Sequence, residues 1–261
     1  MLTTQPERTD ISITINVPAY RDQFVAEVAA HVADLNNGVN TLEAGTFEQN
    51  ARRRTNAQGF TIEYTGTDIA AGGEQRQVET CFRAVIAAFI TFLDRMIAVQ
   101  HMWGQSIPID QDLSLDAVVP YATAYINQKV LEVARNRNLT NPKKIDLFSG
   151  LPDWSNKAVK GYFLLRRCLE HHAGIPDADI NLQWKGFRLF VGPKEIDRLP
   201  TYLPKGGSLS AGLLDGGKLL AAGTRATLSE QELRDIIFSL ENVISLEVAQ
   251  QVISSTAVKQ P

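Results

Sequence analysis

A short segment in the second half of the chain combines side chains that could bind an anion and transfer a proton. It consists of Arg166-Arg167-Cys168-Leu169-Glu170-His171-His172-Ala173-Gly174. Guanidinium groups are permanently charged and fit phosphate oxygens, whereas imidazole exchanges protons near neutral pH. The charged and imidazole side chains fall within about two helical turns. Phosphate binding combined with acid–base catalysis is therefore the chemistry that this segment favours.

The preceding residues predict the helix that carries the segment. Its apolar stripe has four-three-four-three spacing and consists of Ala158, Tyr162, Leu165, Leu169 and His172. This spacing is typical of the buried side of an amphipathic helix. Gly174 is a typical helix stop, which leaves His171 and His172 in the last turn, where free carbonyl groups attract cations.

The same residues also permit an interpretation without function. Arg166 precedes Glu170 by four positions, and Arg167 precedes His171 by four, so each pair can meet on the helix surface. An exposed pair of this kind contributes only a few tenths of a kcal/mol to stability. From chemistry alone, both interpretations stay open.

Residues 154–174 resemble the signature helix of the HEPN domain family, in which an Arg, a polar residue that is often Asn, and a His follow at fixed spacing. Arg166 matches the family's Arg and His171 its His, while Arg167 stands where many members have Asn. A second register, Arg167 with His172, satisfies the same spacing. The first is preferred because Cys168-Leu169 and Gly174 then fall where many members have similar residues.

The resemblance implies a helical domain that commonly forms a homodimer, with two such helices facing each other. Many members are metal-independent endoribonucleases, in which the His acts on the ribose 2′-hydroxyl and the Arg stabilises the phosphate. Arg166 and His171 are therefore the expected catalytic residues, with Arg167, Glu170 and His172 as binding residues and RNA as a candidate partner.

Two features favour an alternative, a non-catalytic HEPN-like module that binds a nucleotide or a partner protein. Arg167 departs from the family pattern, and the formal net charge of −3 supplies no global attraction for nucleic acid. A purely structural, oligomerising bundle is a third alternative.

Composition limits the other classes of protein. A chain of 261 residues with 44% hydrophobic content can bury a substantial core. Cys81 and Cys168 lie in separate apolar segments, which predicts two reduced, buried thiols and, with no signal-peptide pattern, a cytoplasmic protein. Charged residues interrupt the apolar run 84–99, so a core helix is expected there and no membrane span. No motif for a metal or another cofactor is present, and none is expected.

The N-terminal 73 residues predict an α/β portion. Alternating apolar residues indicate a strand over 10–17, closed by Pro18, and a second strand over 59–67. A helix is predicted over 21–36, and Gly72-Gly73 predicts a break that serves as the domain boundary.

Residues 74–261 predict a HEPN-like helical bundle with a small β insertion, so the expected fold class is mainly α. Helices are predicted over 79–103, 115–136 with an interruption at Pro120, and 154–172. Short strands should follow, with turns at Gly186, 192–193, 206–207 and 216–217. Ser229 and Glu232 form a predicted capping box that opens a last helix through residue 253.

Overall fold

The protein is mainly α, as the sequence predicts, with a small antiparallel sheet. The structure is a computed structural model and describes residues 15–43, 54–55, 61–62, 66–105, 107–108, 113–191, 194–196 and 208–257.

The helices are α1 (Val17–Glu43), α2 (Gly66–Met102), α3 (Leu115–Arg135), α4 (Asn141–Asp146), α5 (Asp153–His171), α6 (Glu230–Ser239) and α7 (Ser245–Ala257). A π-helical turn, Leu240–Ile244, joins α6 to α7. The strands are β1 (Arg54–Thr55), β2 (Thr61–Ile62), β3 (Ile180–Val191), β4 (Lys194–Ile196) and β5 (Leu209–Leu220). β1 pairs with β2, and the larger antiparallel sheet has the order β4-β3-β5.

Helix α2 is the centre of the core and contacts α1 and α3 to α7. Phe24 of α1 packs against Phe89 and Phe92 of α2, with ring centroids 5.6 and 5.4 Å away, and all three side chains are fully buried. The apolar run 84–99 is thus a core helix, as predicted. Cys81 and Cys168 are free and buried, also as predicted, and burial raises the pKa of Cys81 to about 11.

The strand predicted over residues 10–17 is wrong at its C-terminal end, where a helix begins instead. Residues 10–14 lie outside the described residues, and Val17 begins α1. The Asn16 side chain accepts a hydrogen bond from the backbone N–H of Ala19, as a helix N-cap does. Pro18 therefore lies in the first turn of a helix, where proline is tolerated, and does not close a strand. The predicted helix 21–36 is confirmed within the longer α1.

Two predicted helix breaks are also wrong. Helix α2 begins at Gly66, which shortens the predicted strand 59–67, and runs through Gly72-Gly73. Glycine costs helix stability without forbidding the helix. Helix α3 continues through Pro120, which removes one backbone donor, and Val118 and Ala122 on either side of it are both buried. The division of the chain into domains at residue 73 stays a prediction.

The glycines of the sheet serve close packing and do not form the predicted turns. Gly186 lies inside β3, where a Cβ atom would be 2.9 Å from Asp235 Oδ1. Gly216 lies inside β5, where a Cβ would be 2.1 Å from the Trp184 indole nitrogen. Glycine in a strand often marks such a close approach. The predicted turns at 192–193 and 206–207 lie outside the described residues.

The last helix begins as predicted, with Ser229 and Glu232 forming a complete capping box. In the π-helical turn, the Glu241 backbone carbonyl accepts hydrogen bonds from Arg21 Nη2 at 2.8 Å and from Ser245 Oγ at 2.7 Å.

Within the described part of the chain, one segment, residues 230–255, has the length and apolar composition of a membrane span. Half of the apolar stretch in this segment is buried inside the protein. The core helix of a soluble protein can have the same length and apolar composition, so this segment is weak evidence for a membrane span.

Candidate functional site

The site helix α5 is held against β3 by a close backbone approach and a buried hydroxyl. At Gly161 a Cβ atom would lie 2.7 Å from the carbonyl oxygen of Asn181. One residue later, the fully buried Tyr162 donates its hydroxyl hydrogen to the carbonyl of Gln183. Burial raises the pKa of Tyr162, so the hydroxyl stays neutral and remains a donor. These contacts fix the position of the helix.

The C-terminal end of α5 is closed by its own backbone and by Arg225. The N–H groups of His172 and Gly174 both donate to the carbonyl of Cys168, at 2.9 and 3.1 Å. The chain leaves the helix through two left-handed residues, Ala173 with a φ of 50° and Gly174 with a φ of 78°. The predicted stop at Gly174 is thus one of two residues that end the helix, and only glycine adopts this conformation without strain. Arg225 donates to the carbonyl of Ala173 at 3.0 Å, so the helix end does not fray freely.

Four of the five predicted site residues line one open groove of about 420 Å³. Arg166, Arg167, Glu170 and His171 form its α5 wall together with the apolar Phe163 and Leu164. The opposite wall is the start of α4, residues 140–142, which contributes no charge. The groove is therefore positively charged on one side and neutral on the other.

Glu170 lies between the two predicted catalytic side chains. Its Oε1 accepts a hydrogen bond from Arg166 Nε at 2.8 Å, and its Oε2 lies 4.0 Å from His171 Nε2. The His171 side chain is 69% exposed, whereas those of Arg166 and Glu170 are 24% and 31% exposed. Arg167 is exposed and makes no ion pair with any residue that the structure describes. The groove thus holds one arginine that is neutralised, Arg166, and one that is free to bind an anion, Arg167.

The fifth predicted residue, His172, does not line the groove. Its Nδ1 lies 3.4 Å from Asp177 Oδ2, beyond the helix end. Of the two registers of the motif, the structure brings Arg166 and His171 into one groove and places His172 outside it.

Helix α4, which forms the second wall of the groove, was not predicted from the sequence. Pro142 lies in the first turn of α4, after Thr140 at the N-cap, and this Thr-x-Pro pattern was the available signal. The position of α4 depends on a buried ion pair, Lys144 Nζ to Asp94 Oδ1 at 2.6 Å. Burial raises the pKa of Asp94, and Lys144 opposes that effect. A periodicity analysis cannot reveal a pair that joins positions 50 residues apart.

Among the described residues, no group of three or more His, Cys, Asp or Glu side chains could hold a metal ion. A phosphate group matches the donors that the groove does present, since guanidinium N–H groups and imidazole face the same space. Comparison with known proteins gave no matching family model, no matching curated protein and no matching solved structure.

Proposed function

We propose that the groove between α4 and α5 binds an RNA phosphodiester and cleaves it without a metal ion. The observation that carries this proposal is the placement of Arg166, Arg167 and His171 along one groove, in the register of the HEPN-like motif. The resemblance to HEPN domains supports the reaction class, and the homodimer that it implies would bring two such grooves together.

The charges suit a transferring phosphate. Arg167 is exposed and without an ion pair in the described structure, so its guanidinium can bind a non-bridging phosphate oxygen at low cost. Arg166 is hydrogen-bonded to Glu170 through Nε, which leaves its terminal amino groups for a second oxygen. Negative charge that builds on the phosphate in the transition state would be stabilised by both.

His171 would supply the proton transfer. It accepts the proton of the ribose 2′-hydroxyl as that oxygen attacks phosphorus and the bond from phosphorus to the 5′-oxygen breaks. Returning the proton to the leaving 5′-oxygen gives a 2′,3′-cyclic phosphate and a 5′-hydroxyl end. The exposed imidazole can reach a strand lying in the groove.

A non-catalytic module that binds a nucleotide or a partner protein is the second candidate. The ion pair between Arg166 and Glu170 favours it, because a neutralised Arg contributes less to stabilising a transition state. In that case the groove would bind phosphate through Arg167 and leave RNA intact.

The test is incubation of mixed RNA with the purified protein in the presence of EDTA. We expect cleavage with cyclic phosphate ends by the wild type, and its loss in both His171→Ala and Arg166→Ala. His172→Ala is the matched control, because it removes an adjacent imidazole that lies outside the groove. Cleavage that persists in His171→Ala would refute the assignment, and intact RNA with nucleotide binding by the wild type would establish the second candidate.

A further inference from the structure

Strand β5 forms an open edge of the larger sheet. It pairs with β3 along its whole length, Ile180 opposite Leu220 through Val191 opposite Leu209. No other strand in the described part of the chain pairs with it. Such an edge presents a row of N–H and C=O groups that can pair with another strand.

β5 has few of the features that usually protect an edge strand. Natural edges are blocked by proline, by bulges or by charged side chains. β5 contains no proline, and its two charged residues are engaged within their own chain. Asp215 pairs with Lys185 at 2.6 Å, and Lys218 pairs with Glu232 at 2.9 Å. The Asp215 side chain is nevertheless 85% exposed, so it is the charge of β5 that an approaching strand would meet.

On one face of the sheet at this edge, exposed apolar side chains lie on both sides of Asp215. Phe187 lies directly opposite Leu213, and Leu219 lies on the same face of β5 as Leu213 because side chains alternate along a strand. The three are 45%, 53% and 63% exposed. Leu214, on the other face, is 46% exposed as well. Leu213 and Leu219 lie about 20 Å apart along the strand, with the exposed Asp215 between them on the same face. They are therefore two separate apolar sites, which an antiparallel partner strand could bring together.

We propose that two copies of this chain pair antiparallel through β5, about a two-fold axis at Gly216, to form a continuous six-stranded sheet. Residues directly opposite each other in an antiparallel pair lie on the same face. An axis at Gly216 places Leu213 opposite Leu219 of the second copy and Asp215 opposite Gly217 of the second copy. It also places Leu214 opposite Lys218 of the second copy, whose ammonium group is paired with Glu232 of its own chain. An axis at Asp215 would oppose two carboxylates, and an axis at Leu214 would oppose Leu213 to Asp215.

This self-complementarity is the reason for choosing a second copy as the occupant. In this register Leu213 meets an apolar residue of its own sequence, and the Asp215 carboxylate meets a glycine. The groove between α4 and α5 has no lining residue in β5, so this interface differs from the one between α5 helices that the resemblance to HEPN domains implies.

The sharpest test is the double variant Leu213→Cys/Leu219→Cys under mild oxidation. Opposite residues of an antiparallel pair have Cα atoms about 4.5–5.5 Å apart, within the range of a disulfide. Within one chain the two positions are six residues apart on an extended strand, about 20 Å, and cannot bridge. The native Cys81 and Cys168 are buried and do not interfere.

We expect the double variant to form a covalent dimer and Leu213→Cys alone to form none. In sedimentation, we expect the mass of the wild-type assembly to halve in Leu213→Lys. It should stay unchanged in Leu131→Lys, a matched change at a 49% exposed leucine of α3. A double variant that stays uncrosslinked, or a Leu213→Lys protein with the wild-type mass, overturns the proposal.

Discussion

Glu170 lies between Arg166 and His171, the two residues that we propose to be catalytic. Positions five apart on an ideal helix point about 140° from each other, so Arg166 and His171 would not converge by helix geometry alone. The Glu170 carboxylate lies between them, 2.8 Å from Arg166 Nε and 4.0 Å from His171 Nε2. It also places a negative charge where a substrate phosphate would bind. Its net effect on phosphate binding is therefore expected to be repulsive.

Replacing Glu170 with Gln is expected to tighten binding of RNA that cannot be cleaved, such as a 2′-O-methyl strand. Removing one negative charge a few ångströms from the phosphate should lower Kd about threefold to tenfold at low salt, and less at high salt. Fluorescence anisotropy would measure both titrations. Glu230→Gln is the matched control, because Glu230 pairs with Arg234 at the same helical spacing but does not line the groove. If Glu170→Gln bound the RNA as tightly as the wild type or more weakly, Glu170 would not repel a bound phosphate.

At the scale of elements, the position of α5 depends on its contact with β3 at Gly161. Alanine normally stabilises a helix by about 1 kcal/mol relative to glycine. Here the added methyl group would lie 2.7 Å from the backbone oxygen of Asn181, which cannot rotate away. We expect Gly161→Ala to lower the free energy of unfolding by about 1–3 kcal/mol, as overpacking does.

Urea denaturation would measure this change, and Gly38→Ala in α1 is its matched control. At Gly38 the new methyl group would meet only the flexible amide end of Gln77, which can move. That variant should be neutral or more stable than the wild type. Equal effects of the two substitutions would show that α5 and β3 are not in the close contact described.

Sequence patterns predicted the elements with strong periodicity and misassigned those in which a tertiary contact decides the outcome. The stripe of α5 and the capping box at Ser229 are local signals. The capping box is confirmed, and the stripe is confirmed at the buried Ala158, Tyr162 and Leu165 but not at His172, which follows the helix and is partly exposed. Gly186 and Gly216 were assigned to turns because local sequence cannot show that Asp235 and Trp184 occupy the space beside them. For the site, the sequence identified the α5 wall of the groove but could not identify the α4 wall.

At the scale of the whole molecule, the groove depends on the attachment of α4 to the central helix α2. The ion pair between Lys144 and Asp94 makes this attachment, and their side chains are 4% and 6% exposed. Ile145 and Phe148, next to Lys144, are buried in the same core. A change far from the groove lining can therefore displace one wall of the groove.

We expect Lys144→Met to lower the free energy of unfolding by about 3–5 kcal/mol near neutral pH, because the Asp94 carboxylate would stay buried without its partner. Lys143→Met, at the exposed neighbouring lysine, should change it little. The double variant Asp94→Leu/Lys144→Met should recover most of the loss, since no buried charge remains. Urea denaturation of the three variants would measure these differences.

The loss in Lys144→Met should also depend on pH. Burial raises the pKa of Asp94 in the folded protein, and removing Lys144 takes away the contact that opposes this effect. Between the unfolded and the raised folded pKa, the folded state binds a proton that the unfolded chain does not, so stability increases as pH falls through that window. The deficit relative to the double variant, which lacks the carboxyl group, should therefore shrink on acidification. A deficit that is constant with pH would mean that Asp94 is not the charge responsible, and that α4 is attached to α2 by apolar packing alone.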